Sequence, residues 1–514
     1  MAHALRRTVG ERARAGTLQE MNEAPPPSES GPELPRERRR LILAICCMSL
    51  LIVGLDNTIV NVALPSIGRE LHTTLSGLQW TVDAYTLVLA SLLMLSGSMA
   101  DRLGRRRVFE TGLALFTAAS LLCSVAPSLG WLIAFRMLQA VGGSMLNPVA
   151  MSIIRNVFTD ARERAQAIGM WGATIGISLA LGPVVGGTLV QSVGWRSIFW
   201  INVPVGMAAL GLTMRFVPES RASRARLGDP VGQVLVIVLL AALTYAIIEA
   251  PSSGWLSGQT VGLALLAGAA LGALLAYERR RIEPLIEPRF FRSIPFTSAS
   301  AIAVLSFSAL GAFLFLNTLY LQEVRGLSAL DAGLYTLPIA AMTLLFAPLS
   351  GHIVGRRGPR VGLIVGGLGI MLGGALMTAI GTHTALDSLL PAYFVFGIGF
   401  GMVNPPITNT AVLGMPPAQA GVAAAVASTS RQVGQTLGVA VVGAIAAAGA
   451  RSIGPGFVDA SHSGWWIIAG CGAATVALGL ASTTAWANAS AMRVADELQQ
   501  RPVPQAPDAE PVVV

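Results

Sequence analysis

The chain has 514 residues, of which 53% are hydrophobic and only 12% charged, about half the charged share of an ordinary soluble domain. Its mean hydropathy of +0.64 excludes a soluble globular fold and points to a polytopic membrane protein. The formal charge of +8 arises from 35 basic residues, all arginine, and their positions decide its meaning, because basic loops on one side of a membrane give the same balance as a nucleic-acid surface.

The first 40 residues, with Pro25, Pro26 and Pro27 and eight arginines, read as a disordered tail without a cleavable targeting peptide, since no apolar run begins before Leu41. Beyond it, stretches long enough to cross the hydrocarbon layer, about 20 apolar residues each, recur near 41–64, 79–100, 108–126, 129–153, 164–189, 196–217, 231–250, 258–278, 296–320, 331–354, 360–381, 386–411, 418–449 and 464–486. The pattern predicts an all-α membrane protein with fourteen transmembrane helices. The thirteenth stretch is too long for one upright span and must tilt, kink or begin outside the membrane. The expected organisation is a tail (1–40), a six-helix bundle (41–217), a linker with two extra helices (218–295), a second six-helix bundle (296–486) and a disordered tail (487–514).

The arginines test that count. With the amino terminus inside, 29 of the 35 fall in cytoplasmic segments, while Arg69, Arg196, Arg325 and Arg451 lie outside and Arg136 and Arg431 lie within spans. This is the positive-inside pattern, and it predicts cytoplasmic termini and no role for nucleic acid.

The two ends of the chain also resemble each other. The stretch Gly97–Arg105 matches Gly351–Pro359 at an offset of 254, and Gly142–Pro148 matches Gly399–Pro405 at an offset of 257. Similar offsets for separate motifs imply a duplicated six-helix block, the plan of carriers whose halves rock around a site near the midplane. The alternative is chance likeness between Gly-rich helices.

These residues carry a resemblance. Gly97–Arg107 is similar to the loop 2–3 signature of the major facilitator superfamily, Arg136–Gly142 to its fourth-helix motif, with Ala140 where Gly is usual, and Gly182–Gly187 to its antiporter motif. Leu55–Pro65 and Gly194–Pro204 resemble signatures of its fourteen-span drug:proton antiporter group. The resemblance implies a multidrug efflux transporter of a bacterial cytoplasmic membrane, driven by protons. It also implies proton-coupling roles for Asp56 and Arg136, a gate at Asp101 and a seal at the antiporter motif.

Charges inside a bilayer are costly, roughly 3 kcal/mol each on insertion scales, so Asp56, Asp83, Arg136 and Arg431 are the candidates for function. At 1.5 Å per residue, Asp56, Asp83 and Arg136 fall near one level in the outer half of the membrane. An acid beside an arginine keeps its charge, whereas one withdrawn into apolar surroundings takes up a proton. Asp56 and Asp83 are therefore expected to alternate between proton and cargo, tuned by Arg136; the alternatives are a helix-tying Asp56 and a rim-facing Asp83. Asn57, Asn61, Gln435 and Arg431 are candidate cavity-lining residues, with snorkelling the alternative for Arg431, and Asn317 and Glu249 near outer helix ends are weaker ones.

At the cytoplasmic end of span 2, Gly97, Asp101, Arg102, Gly104, Arg105 and Arg106 read either as topology-setting charge or as a gate in which Asp101 pairs across the two halves. Gly176, Gly182, Pro183, Gly186 and Gly187 give span 5 a smooth face interrupted by a missing hydrogen bond, suited to a hinge or seal as well as to plain packing. Two acids in an apolar pocket suit lipophilic cations, and neutral antibiotics or a metabolite fit nearly as well. A carrier of another cargo or direction is the nearest rival. An ATP-driven pump of the P-loop type is excluded by the lack of lysine, Cys46, Cys47, Cys123 and Cys471 sit in apolar runs without metal-ligand spacing, and no metal or cofactor is expected. The partners are lipid, a small molecule and protons, and the chain is expected to act as a monomer rather than an enzyme.

Overall fold

The computed structural model describes residues 34–222, 228–281, 283–449 and 455–499. Residues up to Leu41 form a unit of their own, of which the described part opens the first helix; the unit from Ile42 onward holds the rest of that helix and all the others.

Fifteen helices run in order: α1 Arg36–Glu70, α2 Leu75–Leu103, α3 Arg105–Ser124, α4 Leu129–Val157, α5 Ala161–Ser192, α6 Asn202–Phe216, α7 Pro230–Ser253, α8 Gly258–Glu278, α9 Ile294–Leu319, α10 Ala329–Arg357, α11 Arg360–Met377, α12 Leu390–Ala411, α13 Pro417–Gly449, α14 Pro455–Ser482 and α15 Ala485–Gln499. A helical turn, Ser197–Trp200, leads into α6, and α9 ends in a π-helical turn, Tyr320–Val324. Local chemistry sets the starts. Thr74, Asp160, Asp229, Ser257, Ser293 and Ser328 each accept a bond from a free amide of the first turn of α2, α5, α7, α8, α9 and α10, satisfying donors that no helix can satisfy internally.

Among the described residues, thirteen helical stretches, α6 counted together with the turn before it, are long and apolar enough to cross a membrane, so the chain is a multi-pass membrane protein. The fourteenth expected span is α3, whose 20 residues reach about 30 Å; its opening arginines and its Thr and Ser residues lower its hydropathy. α13 runs as one helix of 33 residues, about 50 Å, so it exceeds the hydrocarbon layer.

Two expectations are corrected. α1 begins at Arg36, inside the stretch read as a tail; residues 1–33 lie outside the described part. The stretch from 487 read as disordered is α15 up to Gln499, with 500–514 outside the described part. The reason is an apolar stripe, Ala487, Ala491, Val494 and Leu498, buried together with Ser490 at helical spacing. The Ser490 hydroxyl also caps the backbone of α9 by accepting from the Ile294 amide at 3.0 Å.

The duplication is visible in packing. α3 meets α4 where a Cβ on Gly142 would lie 2.8 Å from the Gly112 carbonyl, and α11 meets α12 where a Cβ on Gly369 would lie 2.5 Å from Gly399 Cα. Both glycine pairs are related by the offset of 257. Between α1–α6 and α9–α14, α5 packs on α10 and α2 on α13. α7 covers the α2–α13 seam, and α8 packs chiefly on α7.

Candidate functional site: a buried ion pair beside a cleft

Asp56 on α1 and Arg136 on α4, 80 residues apart in sequence, form a direct ion pair with 0% and 1% of their side chains exposed. The Arg136 guanidinium also donates to Gln139 Oε1 (2.7 Å) and to the Thr81 carbonyl (3.4 Å), and lies 4.2 Å from the centre of the Tyr85 ring. On the other side of the carboxylate, Gln139 Nε2 (2.9 Å) and Asn202 Nδ2 (3.0 Å) donate to Asp56 Oδ1. Ser120 Oγ accepts from Gln139 Nε2 at 2.7 Å. Five helices, α1, α2, α3, α4 and α6, thus converge on one charge pair. Such a pair is tolerated in a bundle interior only with this kind of hydrogen-bond completion.

Asp56 and Arg136 were expected from sequence; Gln139, Ser120, Asn202 and Tyr85 as their partners were not. The signal was there for two of them, since Gln139 lies one turn beyond Arg136 and Asn202 lies within the Gly194–Pro204 stretch.

Asp83 is also fully buried, and both its oxygens lack a hydrogen-bond partner among the described residues. It is not part of the Arg136 cluster. On α2 it shares a stripe with Gln79 and Thr86, which tie α2 to α13: Gln79 Nε2 donates to the Ala440 carbonyl at 2.9 Å, and Thr436 Oγ1 to Thr86 Oγ1 at 2.8 Å. The rim-facing alternative for Asp83 is thereby replaced by a place in a seam.

A narrow cleft of about 20 Å³, room for little more than one water, lies between α1, α5, α9 and α10, lined by Thr58, Asn61, Leu179, Pro183, Thr318 and Thr336, together with Gln322 and Val62. The Asn57 and Asn61 side-chain oxygens are buried without a donor, and Asn61 faces this cleft. Gln322 Nε2 donates to the Val62 carbonyl at 2.9 Å and Arg69 pairs with Glu323 at 2.7 Å. The bonds named here that join α1–α6 to α9–α14 come from Thr86 or from residues nearer the arginine-poor end. They fasten the arginine-poor side of the seam; on the arginine-rich side the halves also touch, a Cβ on Gly421 of α13 lying 3.9 Å from the Arg155 guanidinium of α4.

The Gly-rich stretch of α5 borders the cleft. A Cβ on Gly182 would lie 1.9 Å from Thr58 Oγ1 and one on Gly186 2.5 Å from Ile59 Cγ1, both on α1, while one on Gly187 would lie 2.6 Å from Leu330 Cα of α10. Pro183 presses its backbone against Gly333 of α10, and Gly176 faces Leu344. Both readings of the motif, seal and packing, rest on this same contact.

Other candidates fall elsewhere. Glu249 is not a cavity residue: it accepts from Ser76 Oγ (2.8 Å) and Trp80 Nε1 (2.9 Å) and so fastens α7 to the start of α2. Asn317 lies inside the α9–α12 pairing, accepting from the Tyr393 hydroxyl at 2.6 Å, and Gln435 packs over Gly311 of α9. Arg431 bonds Thr408 of α12 and Ser428. At the arginine-rich end, Asp101 pairs with Arg105 of the adjoining α3 (3.1 Å) rather than with the second half. Arg106 pairs with Glu110 (2.7 Å), and the chain after α6 clasps the loop through Ser220 O to the Arg105 amide (2.9 Å) and Glu219 Oε1 to the Arg106 amide (3.2 Å). Gly104 turns this corner with φ +114° and a carboxylate oxygen 2.6 Å from its missing Cβ, a place for glycine alone. Gly97 keeps an open neighbourhood, and Arg102 is exposed.

The family model described as Major Facilitator Superfamily matches residues 46–439. The chain belongs to this superfamily. Among curated members it is 38% identical over 408 residues to the multidrug resistance protein Stp of Mycobacterium tuberculosis, covering 79% of this chain and 76% of that protein. It is 36% identical over 420 residues to the tetracenomycin C resistance and export protein of Streptomyces glaucescens (80% and 77%) and 36% identical over 417 residues to the multidrug efflux pump LfrA of Mycolicibacterium smegmatis (81% and 82%). Solved major facilitator structures share the fold: a bacterial homologue of the human lysosomal transporter Spinster at TM-score 0.60 and 17% identity, covering 92% of this chain and 100% of that one, and a D-xylose–proton symporter at 0.61 and 17%, covering 86% and 96%.

Proposed function

We propose that this chain exports small lipophilic or cationic compounds, drugs and antibiotics among them, across the bacterial cytoplasmic membrane in exchange for protons, with both termini and the arginine-rich end in the cytoplasm. The observation that carries the reading is the sealed Asp56–Arg136 pair on the same helix as the cleft-lining Thr58 and Asn61. The export names of the relatives support the direction.

A proton arriving on Asp56 cancels the charge that holds Arg136, and the contacts of α1 with α4 and α6 weaken together. Thr58 hangs on α1 and reaches the Ser178 carbonyl of α5 at 3.3 Å, so a shift of α1 is felt in the cleft wall. Proton and cargo then compete through one helix. Asp83 supplies a second protonatable group in the α2–α13 seam. The α5 motif keeps α1 and α10 closed against proton leak, and in the opposite state Asp101 leaves Arg105 to pair across the halves. The gradient supplies about 2.3 kcal/mol per charge per 100 mV.

The test is transport in inverted membrane vesicles with an imposed pH gradient, using ethidium and a panel of neutral compounds. Cargo should trigger proton release, and Asp56→Asn should abolish it. Dye movement indifferent to the gradient, or unaltered in D56N, would overturn the reading.

A further inference from the structure

Two arginines stand within the spans, and their surroundings differ. Arg136 is matched by Asp56; Arg431 on α13 forms no ion pair among the described residues, and its guanidinium meets only hydroxyls, Ser428 Oγ at 3.3 Å and Thr408 Oγ1 of α12. Its Nε is buried with no acceptor. Arg431 is only partly buried, and a cation held without a counter-charge in such a place attracts an anion.

The surroundings say what kind of anion fits. The Phe307 ring of α9 lies 5.9 Å from the guanidinium and packs edge-on against Phe400 of α12 at 5.1 Å. Arg431 is five residues, about 7.5 Å, from Thr436 toward the arginine-rich side. A cation, two hydroxyls and an aromatic ring thus gather at one place. Guanidinium groups bind planar carboxylates with paired donors.

We propose that Arg431 is an anion-recognition point of the cargo site, taking the carboxylate or phenolate of an aromatic cargo whose ring packs against Phe307. The inference rests on the export reading and extends its cargo class to acidic and zwitterionic aromatics. Asn57 and Asn61 on α1 serve uncharged polar groups, and Arg431 serves the anionic end.

The experiment compares 2-naphthoate with ethidium in vesicles carrying the full chain, together with binding of 2-naphthoate and the uncharged 2-naphthamide to purified protein. Wild type should bind naphthoate more tightly than naphthamide, and Arg431→Gln should lower the ratio of naphthoate to ethidium transport by about tenfold, the scale of one lost charged hydrogen bond. Arg431→Lys, which keeps the charge, should recover part of the ratio. Equal loss of both cargoes in R431Q would mark a structural arginine and overturn the proposal, as would wild-type protein with no preference for naphthoate over naphthamide. If wild type moves ethidium without regard to pH, the export reading fails separately, because the binding comparison is independent of any gradient.

Discussion

Arg136 is only 1% exposed, so what happens when its partner is removed is a question of buried charge. Asp56→Ala leaves the guanidinium beside Gln139 and Tyr85 without an anion, a change that costs about 3–5 kcal/mol when one member of a buried pair is lost. D56A should therefore lower the thermal midpoint in detergent by several degrees. The double variant D56N/R136Q removes both charges, but the shorter glutamine leaves a void; it should recover part of the midpoint while remaining unable to couple transport to pH. Asp83 differs because no cation faces it. Asp83→Asn replaces a buried carboxyl group, whose oxygens have no hydrogen-bond partner among the described residues, by an amide of nearly equal size, and efflux of ethidium should fall relative to that of a neutral compound. Equal efflux of the two would remove Asp83 from cargo handling. The ionisable residues were legible because acids and arginines are rare in apolar runs. Their partners were less so, since a serine or glutamine in a span is common and only three-dimensional convergence separates Ser120 and Gln139 from their neighbours.

At the scale of helices, the decisive contacts are those where side chains are absent. Gly187→Ala would place a methyl group 2.6 Å from the backbone of α10, which must push α5 and α10 apart at the fastened end. Transport should fall, and a cysteine at Leu330 should become more reactive to a water-soluble maleimide. α7 gives a second test. Gln233 donates to the Ser91 carbonyl and Glu249 accepts from Ser76 and Trp80, so both ends of α7 are bonded to α2. Its contact with α13 is lined by Leu240, Thr244, Val433 and Leu437. Linking W80C to Y245C in a chain free of its native cysteines should leave transport intact, and linking T244C to L437C should stop it. The spans themselves were legible from hydropathy and arginine placement, including α3, which length and loop charge revealed despite its polar first turn. α15 was missed because its stripe is built mostly from alanine, whose apolar signal is weak, and because prolines begin only beyond it.

Across the whole molecule, the fastened side is held by few bonds, and one of them is exposed enough to control. With native cysteines replaced, R69C/E323C should form a disulfide under oxidation and halt export, with reductant restoring it; unaffected export would mean that this end need not part. The duplication explains why the two halves share glycine contacts, but it does not carry chemistry across. At the offset of 257, Asp56 and Arg136 correspond to Phe313 and to Tyr393, whose hydroxyl donates to Asn317. There a neutral hydrogen bond sits among Phe313, Phe396 and Trp465. Two genetic copies of one scaffold have thus become unlike lobes, one holding an ion pair in its interior and the other a neutral hydrogen bond. If Asp56 takes the proton as proposed, the second lobe follows through the α2–α13 and α5–α10 contacts, so stiffening either should uncouple it.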